Sequence, residues 1–99
     1  MRRVVWSAAA RADYLAVLRH IADDDPDAAY RVGQAIRRTG AQLGDFATGH
    51  PGRVAGIYEK SVRGIPYIIA YTLAVDDQSV SILRVIHTAR DWPNDRWPA

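Results

Sequence analysis

Cysteine is absent from this chain, so disulfide cross-links and thiolate metal sites are both excluded, and the three histidines at positions 20, 50 and 87 have no ligand spacing. No metal site and no cofactor is expected. No apolar run reaches the 18 or so residues of a membrane span, and Met1-Arg-Arg is followed by an alternating charged and apolar pattern rather than a secretory leader. The expected location is the cytoplasm, with no membrane partner. Lysine is nearly missing too: of 13 basic residues only Lys60 is not arginine. Arginine stays charged and grips phosphate or carboxylate with a planar fork, whereas lysine more readily loses its proton, so the bias favours anion recognition over general-base chemistry.

With 99 residues and a net charge of +2, the chain is expected to form one domain over residues 1–99, with one small core and little margin of stability. A short apolar run, Val4-Val-Trp6, stops at Ser7, whose hydroxyl suits a helix N-cap. Residues 8–24 then place Ala10, Tyr14, Val17, Leu18 and Ile21 on one helical stripe. Asp25 and Pro26 suit the cap and first turn of a second helix, with Ala29, Val32, Ile36, Leu43 and Phe46 as its stripe and Gly44 as its end. Gly33 and Gly40 within it either weaken the helix or allow close approach.

Residues 45–56 are rich in Gly and Pro and are expected to form a loop. Three strands should follow at 57–63, 67–75 and 79–88, joined by a turn at Gly64-Ile-Pro66 and a hairpin at Asp76-Asp-Gln78. In the middle strand Tyr67, Ile69, Tyr71 and Leu73 are expected to face the helices, leaving the other sheet face open. In the last strand, alternation puts Val80, Ile82, Arg84 and Ile86 on one face and Leu83, Val85 and His87 on the other, so Arg84 and His87 could not share a site on a regular strand. The fold class is α+β: an N-terminal strand and a two-helix hairpin packed on a mainly antiparallel four-stranded sheet.

This order of elements, together with Val5-Trp-Ser7, the Gly49-His-Pro-Gly-Arg-Val54 loop, Pro66-Tyr67, Leu83-Arg-Val-Ile-His87 and Ala89-Arg-Asp-Trp92, resembles the ParE/RelE toxin superfamily, and is closer to its ParE-like branch. The resemblance implies a bacterial type II toxin, neutralised by a cognate antitoxin (ParD-like or similar) in a toxin–antitoxin hetero-oligomer. RelE-like and YoeB-like members cut messenger RNA on the ribosome, which requires cations on the sheet to hold the scissile phosphate. Where such nucleases carry Lys, this sequence has Glu59 and Ser61, and where they carry Arg it has Ile68. ParE-like members bind and poison DNA gyrase and need only a recognition surface. The expected target is therefore gyrase, with ribosome-dependent cleavage or an inactive antitoxin-binding relative as alternatives.

Each prominent residue also has a structural explanation. Arg53, Arg84, Arg90 and Trp92 are the expected target contacts, while Arg84 could instead pair with a helix carboxylate such as Asp13. If the protein were a nuclease, Arg63, Arg84, His87 and Arg90 would be its catalytic candidates; His87 could equally satisfy a backbone group at the strand end. Glu59 could serve as a YoeB-like base or as a cross-strand partner of Arg63 or Arg84.

Overall fold

A computed structural model describes residues 2–52 and 54–89. The elements run β1 (Arg3–Trp6), α1 (Ala8–Ala22), α2 (Pro26–Asp45), β2 (His50–Pro51), β3 (Tyr58–Ser61), β4 (Tyr67–Leu73) and β5 (Ser79–His87). They build an α+β fold in which the sheet order is β1-β5-β4-β3-β2. The sheet is antiparallel except for β1, which lies parallel to β5 with Val4 beside Val80 and Trp6 beside Ile82. One expectation needs correction. The sheet has five strands rather than four, because His50 and Pro51 pair with Glu59 and Tyr58 within the expected loop. Proline is tolerated there because β2 is an edge strand.

Both helix starts follow from local chemistry. Ser7 Oγ accepts from Ala10 N at 2.9 Å and donates to Leu83 O at 2.9 Å, so the cap of α1 is also a tether to β5. Asp25 Oδ1 accepts from Ala28 N at 3.0 Å, and Pro26 occupies the first helical position, where no N–H is needed. The glycines of α2 serve close approach: a Cβ on Gly33 would stand 2.9 Å from Leu18, and one on Gly40 would stand 2.8 Å from Trp6. Gly44 does not end the helix, which continues to Asp45; it lets the Arg2 carbonyl pass, and Arg2 N donates to Gly44 O at 2.7 Å.

The core lies between the helical hairpin and one sheet face, where Ala10, Ile36 and Leu43 meet Tyr67, Ile69, Tyr71, Val80 and Ile82. The face assignment of β4 is as the alternation required. Phe46, expected in the α2 stripe, is instead 75% exposed because the helix has already ended and the chain turns extended there. Alternation also fails along β5. Ala70 pairs with Arg84 and Tyr71 with Ile82, leaving Leu83 as an inserted residue. Such a bulge sets two residues against one and changes the phase of the strand. Val80, Ile82 and Val85 consequently share the helix-side core, while Ile86 joins Ala70 on the other face.

That second face is not simply open. Val54 and Ile57 pack on Ala70 and Ile86, so part of the loop folds over the sheet. Its anchor is Tyr71, a fully buried phenol that accepts from Gly49 N at 3.0 Å. Burial raises the Tyr71 pKa above its ordinary value, while the Gly49 N–H pulls the other way. A raised pKa means that the stability due to the neutral phenol is complete below the usual tyrosine range and is lost as pH climbs through the folded value. We expect Tyr71→Phe to cost about 1–2 kcal/mol at neutral pH through the orphaned Gly49 N–H. The same variant should flatten the alkaline decline in stability above the usual tyrosine range, as read by urea unfolding.

Candidate functional site

Among the described residues, the sequence-expected Arg63, Arg84 and His87 do not converge on one centre. Arg84 is held by Asp13: its Nε donates to Oδ2 at 2.7 Å and a terminal NH2 donates to Oδ1 at 2.9 Å. Val85 N donates to the same Asp13 Oδ2 at 3.0 Å. The two side chains are each 16% exposed, and the hydrogen bond to Asp13 raises the Arg84 pKa further above its already high value. The α1 carboxylate therefore pins β5 at its bulge, which is the helix pairing the sequence allowed for Arg84. At the other extreme, Arg2 and Asp77 form an exposed fork, with Nε donating to Oδ1 at 2.8 Å and NH2 to Oδ2 at 2.8 Å. Asp77 sits at φ 61°, a left-handed turn conformation that aspartate tolerates better than most residues.

His87 ends β5 with its ring edge-to-face against Tyr67, centroids 5.1 Å apart. Its Nδ1 accepts from Ala89 N at 3.0 Å, which leaves the ring proton of the neutral form on Nε2. It lines a cleft of about 360 Å³ with Asp13, Ala16, Val17, His20 and Tyr67. Through Asp13 this cleft is linked to Arg84, although Arg84 and His87 stand on opposite sides of β5 by register. Arg63 lies apart from both, exposed in the turn after β3. Arg53, Arg90 and Trp92 fall outside the described residues.

The face where an RNA-cutting relative would hold phosphate is formed by two neighbouring β3–β4 pairs, Glu59 with Ala70 and Ser61 with Ile68. Glu59 is 6% exposed and Ala70 is fully buried. The β2–β3 hairpin closes over this end, with Gly52 N donating to Ile57 O at 2.8 Å. A Cβ on Gly52 would stand 2.8 Å from Glu59 Oε2, so backbone lies directly against the carboxylate. Among the described residues, no group of three potential ligands is placed to hold a metal ion. No described helix is long and apolar enough to cross a membrane.

A larger cleft of about 630 Å³ lies on the helical hairpin, floored by Val4, Trp6, Tyr14 and Leu15 and edged by Arg11, Arg37 and Arg38. None of these arginines was among the expected target contacts, since each stands off the apolar stripe of its helix. Their signal was the spacing: Arg11 and Leu15 lie one turn apart on α1, as do Arg37 and Ala41 on α2.

Comparison with known proteins gives this geometry a lineage. The P. aeruginosa "Chromosomal ParDE TA system" aligns with a TM-score of 0.79 at 23% identity, over 88% of this chain and 96% of that one. The M. tuberculosis toxin–antitoxin complex RelBE2 aligns with a TM-score of 0.64 at 24% identity, over 87% and 96%. The isolated E. coli RelE toxin follows with a TM-score of 0.63 at 12% identity, over 92% and 88%. At these identities the likeness establishes the fold. Closer in sequence is the Sinorhizobium fredii protein named "Putative toxin Y4kP", 37% identical over 93 residues, which are 93% of this chain and 94% of that protein. The family model described as "ParE toxin of type II toxin-antitoxin system, parDE" matches residues 4–92. With nearly its whole length matched, the chain belongs to the ParE toxin family of type II toxin–antitoxin systems.

Proposed function

We propose that this toxin binds DNA gyrase and poisons it, that it does not cleave RNA, and that a ParD-like cognate antitoxin neutralises it in a hetero-oligomer within the cytoplasm. The observation that carries this reading is the β3–β4 face, where Glu59, Ser61, Ile68 and Ala70 stand side by side with no cation among them. Each well-placed donor to a developing phosphate charge is worth on the order of 3 kcal/mol of transition-state stabilisation. The resemblance to RelE-like nucleases makes three such positions non-cationic here. Arg63 does not replace them, since it lies in the exposed turn beyond β3. Arg84 is committed to Asp13 through Nε and one NH2, and His87 stands on the other side of β5 from the Glu59–Ala70–Arg84 row. Poisoning gyrase requires a recognition surface and no catalytic constellation in the toxin itself.

Within this reading Arg53, Arg90 and Trp92 contact the target. Arg84 contributes through the strand end it holds, and its replacement should lower potency as well. A paired assay tests the proposal, with gyrase supercoiling run beside messenger RNA cleavage on programmed ribosomes. The expected result is inhibited supercoiling, or trapped cleaved DNA, with intact messenger. Cleaved messenger beside unaffected gyrase would reverse the assignment, and inactivity in both assays would mark an inert antitoxin-binding relative.

A further inference from the structure

We infer that the cleft between α1 and the end of β5 is the seat of the chain's own Trp92, held there until the target draws it out. The place follows from how the chain leaves β5. Thr88 N donates to Pro66 O at 2.9 Å and Ala89 N donates to His87 Nδ1 at 3.0 Å, so a turn fixed by two hydrogen bonds ends the strand. Ala89, the last described residue, lines the cleft together with Ala16, Val17 and His20 of α1, Tyr67 of β4 and Val85 of β5. Trp92 follows three residues later, a reach of about 10 Å at full extension, so its ring is tethered at the rim. The family match over residues 4–92 ends on Trp92, whereas Trp97 lies beyond it and on a longer tether.

The walls suit an indole. Ala16, Val17 and Val85 supply apolar surface, and the Tyr67 and His87 rings, already edge-to-face at 5.1 Å, supply aromatic neighbours. At about 360 Å³ the cleft stands near the small end of ligand pockets, roughly 300–1,000 Å³, which fits one large side chain. A buried indole N–H also needs an acceptor. Val85 N–H points to Asp13, away from β4, and in an antiparallel strand a residue's carbonyl shares the edge of its N–H, so Val85 O is presented on the same side. Arg90 and Asp91, the residues in between, are charged and gain nothing from apolar walls.

The tether decides between this occupant and a free aromatic ligand. A ring attached so close to the rim has an effective concentration on the order of millimolar, against which a dissolved ligand of the same chemistry must compete. Seating also bears on potency, and here it depends on the gyrase reading above. Trp92 is one of the proposed target contacts, so the free toxin is only partly in its binding form and an encounter must first withdraw the indole.

Fluorine NMR of the full chain labelled with 5-fluorotryptophan is the test, with the three resonances assigned through Trp92→Phe and Trp97→Phe. The Trp92 resonance is expected to lack the solvent-isotope shift that an exposed indole shows in heavy water, and its ring protons should give Overhauser contacts to the Val17 and Val85 methyl groups. Ala16→Phe fills the cleft from α1 and should move the Trp92 resonance to its exposed position. Ala12→Phe is the control, because Ala12 is also exposed on α1 and loses the same helix propensity but does not line the cleft. An exposed Trp92 resonance without methyl contacts in the parent overturns the inference, and that measurement needs no variant to fold. A response of Trp97 in place of Trp92, or an equal response to both alanine variants, overturns it as well. So does burial of Trp92 that grows with protein concentration, which would seat the ring in a second copy. In the supercoiling assay Ala16→Phe should lower the concentration for half-inhibition by at least about threefold, because the cost of withdrawing Trp92 is gone. Unchanged potency with a released Trp92 would refute the withholding, while a parent protein without effect on gyrase would remove the functional proposal and leave the NMR result standing.

Discussion

Asp13→Ala should destabilise the protein by about 3 kcal/mol, a large part of what a domain of this size possesses. The carboxylate satisfies three donors at once: Nε and NH2 of Arg84 and the backbone N–H of Val85. Removing it leaves a mostly buried guanidinium without its fork and a backbone N–H without its acceptor, at the bulge where β5 changes phase. Partial exposure of the pair, 16% on each side, holds the cost below that of a fully buried charge. Arg84→Met should cost less, because Asp13 would keep Val85 N and some water while the methionine stem keeps the packing. Asp77→Asn is the comparison, since it breaks an equally well-formed fork with Arg2 that stands in solvent, where screening leaves little net stabilisation. Urea unfolding of the three variants ranks them, and an Asp13→Ala midpoint no lower than that of Asp77→Asn would show that the pin contributes nothing to stability.

What the sequence made legible was chemistry that acts over a few residues. The Ser7 cap, the Asp25-Pro26 entry to α2 and the period-two pattern of β4 each depend on neighbours within one turn or one strand, so they could be read before any tertiary contact was known. Pairing was not legible in the same way. The inserted Leu83 exists only because β5 must satisfy β4 on one side while Ser7 and Asp13 hold it from α1, and nothing in Val80-Ser-Ile-Leu-Arg-Val-Ile-His87 marks where the phase changes. The closed half of the outer sheet face was hidden for a similar reason. Gly49, Gly52 and Gly56 read as loop residues, yet Gly49 and Gly52 are small because Tyr71 and Glu59 stand against them, and only Gly56, at φ +84°, is required by its own backbone. Of the candidate site, the missing cations were visible directly as residue types. The arginine-edged cleft was not, since its walls come from two helices whose close approach depends on Gly33 of α2 lying against Leu18 and Tyr14 of α1.

Restoring a nuclease-like cation at position 59 should unfold the protein before it confers cleavage. Glu59 is 6% exposed, faces Ala70 across the sheet and has the Gly52 backbone against its carboxylate. It is not an unpaired charge. A carboxylate is held by donors or cations, so the groups that suit Glu59 would oppose an ammonium in its place. Glu59→Lys would bury a cation among groups that suit an anion, a change expected to cost about 3–5 kcal/mol. Glu59→Gln keeps the shape and removes only the charge, so it should cost distinctly less. Ser61→Lys tests the same face without burial, because Ser61 is exposed, and it should be tolerated. The combination Ser61→Lys with Ile68→Arg should therefore stay folded and still leave ribosome-bound messenger intact, since two cations beside a buried Glu59 do not make a phosphate site. Thermal unfolding of all four variants beside the ribosome assay checks the argument. A folded Glu59→Lys protein of near-parental stability would mean that the loop opens readily from this face, and messenger cleavage by the double variant would mean that the face lacks only charge.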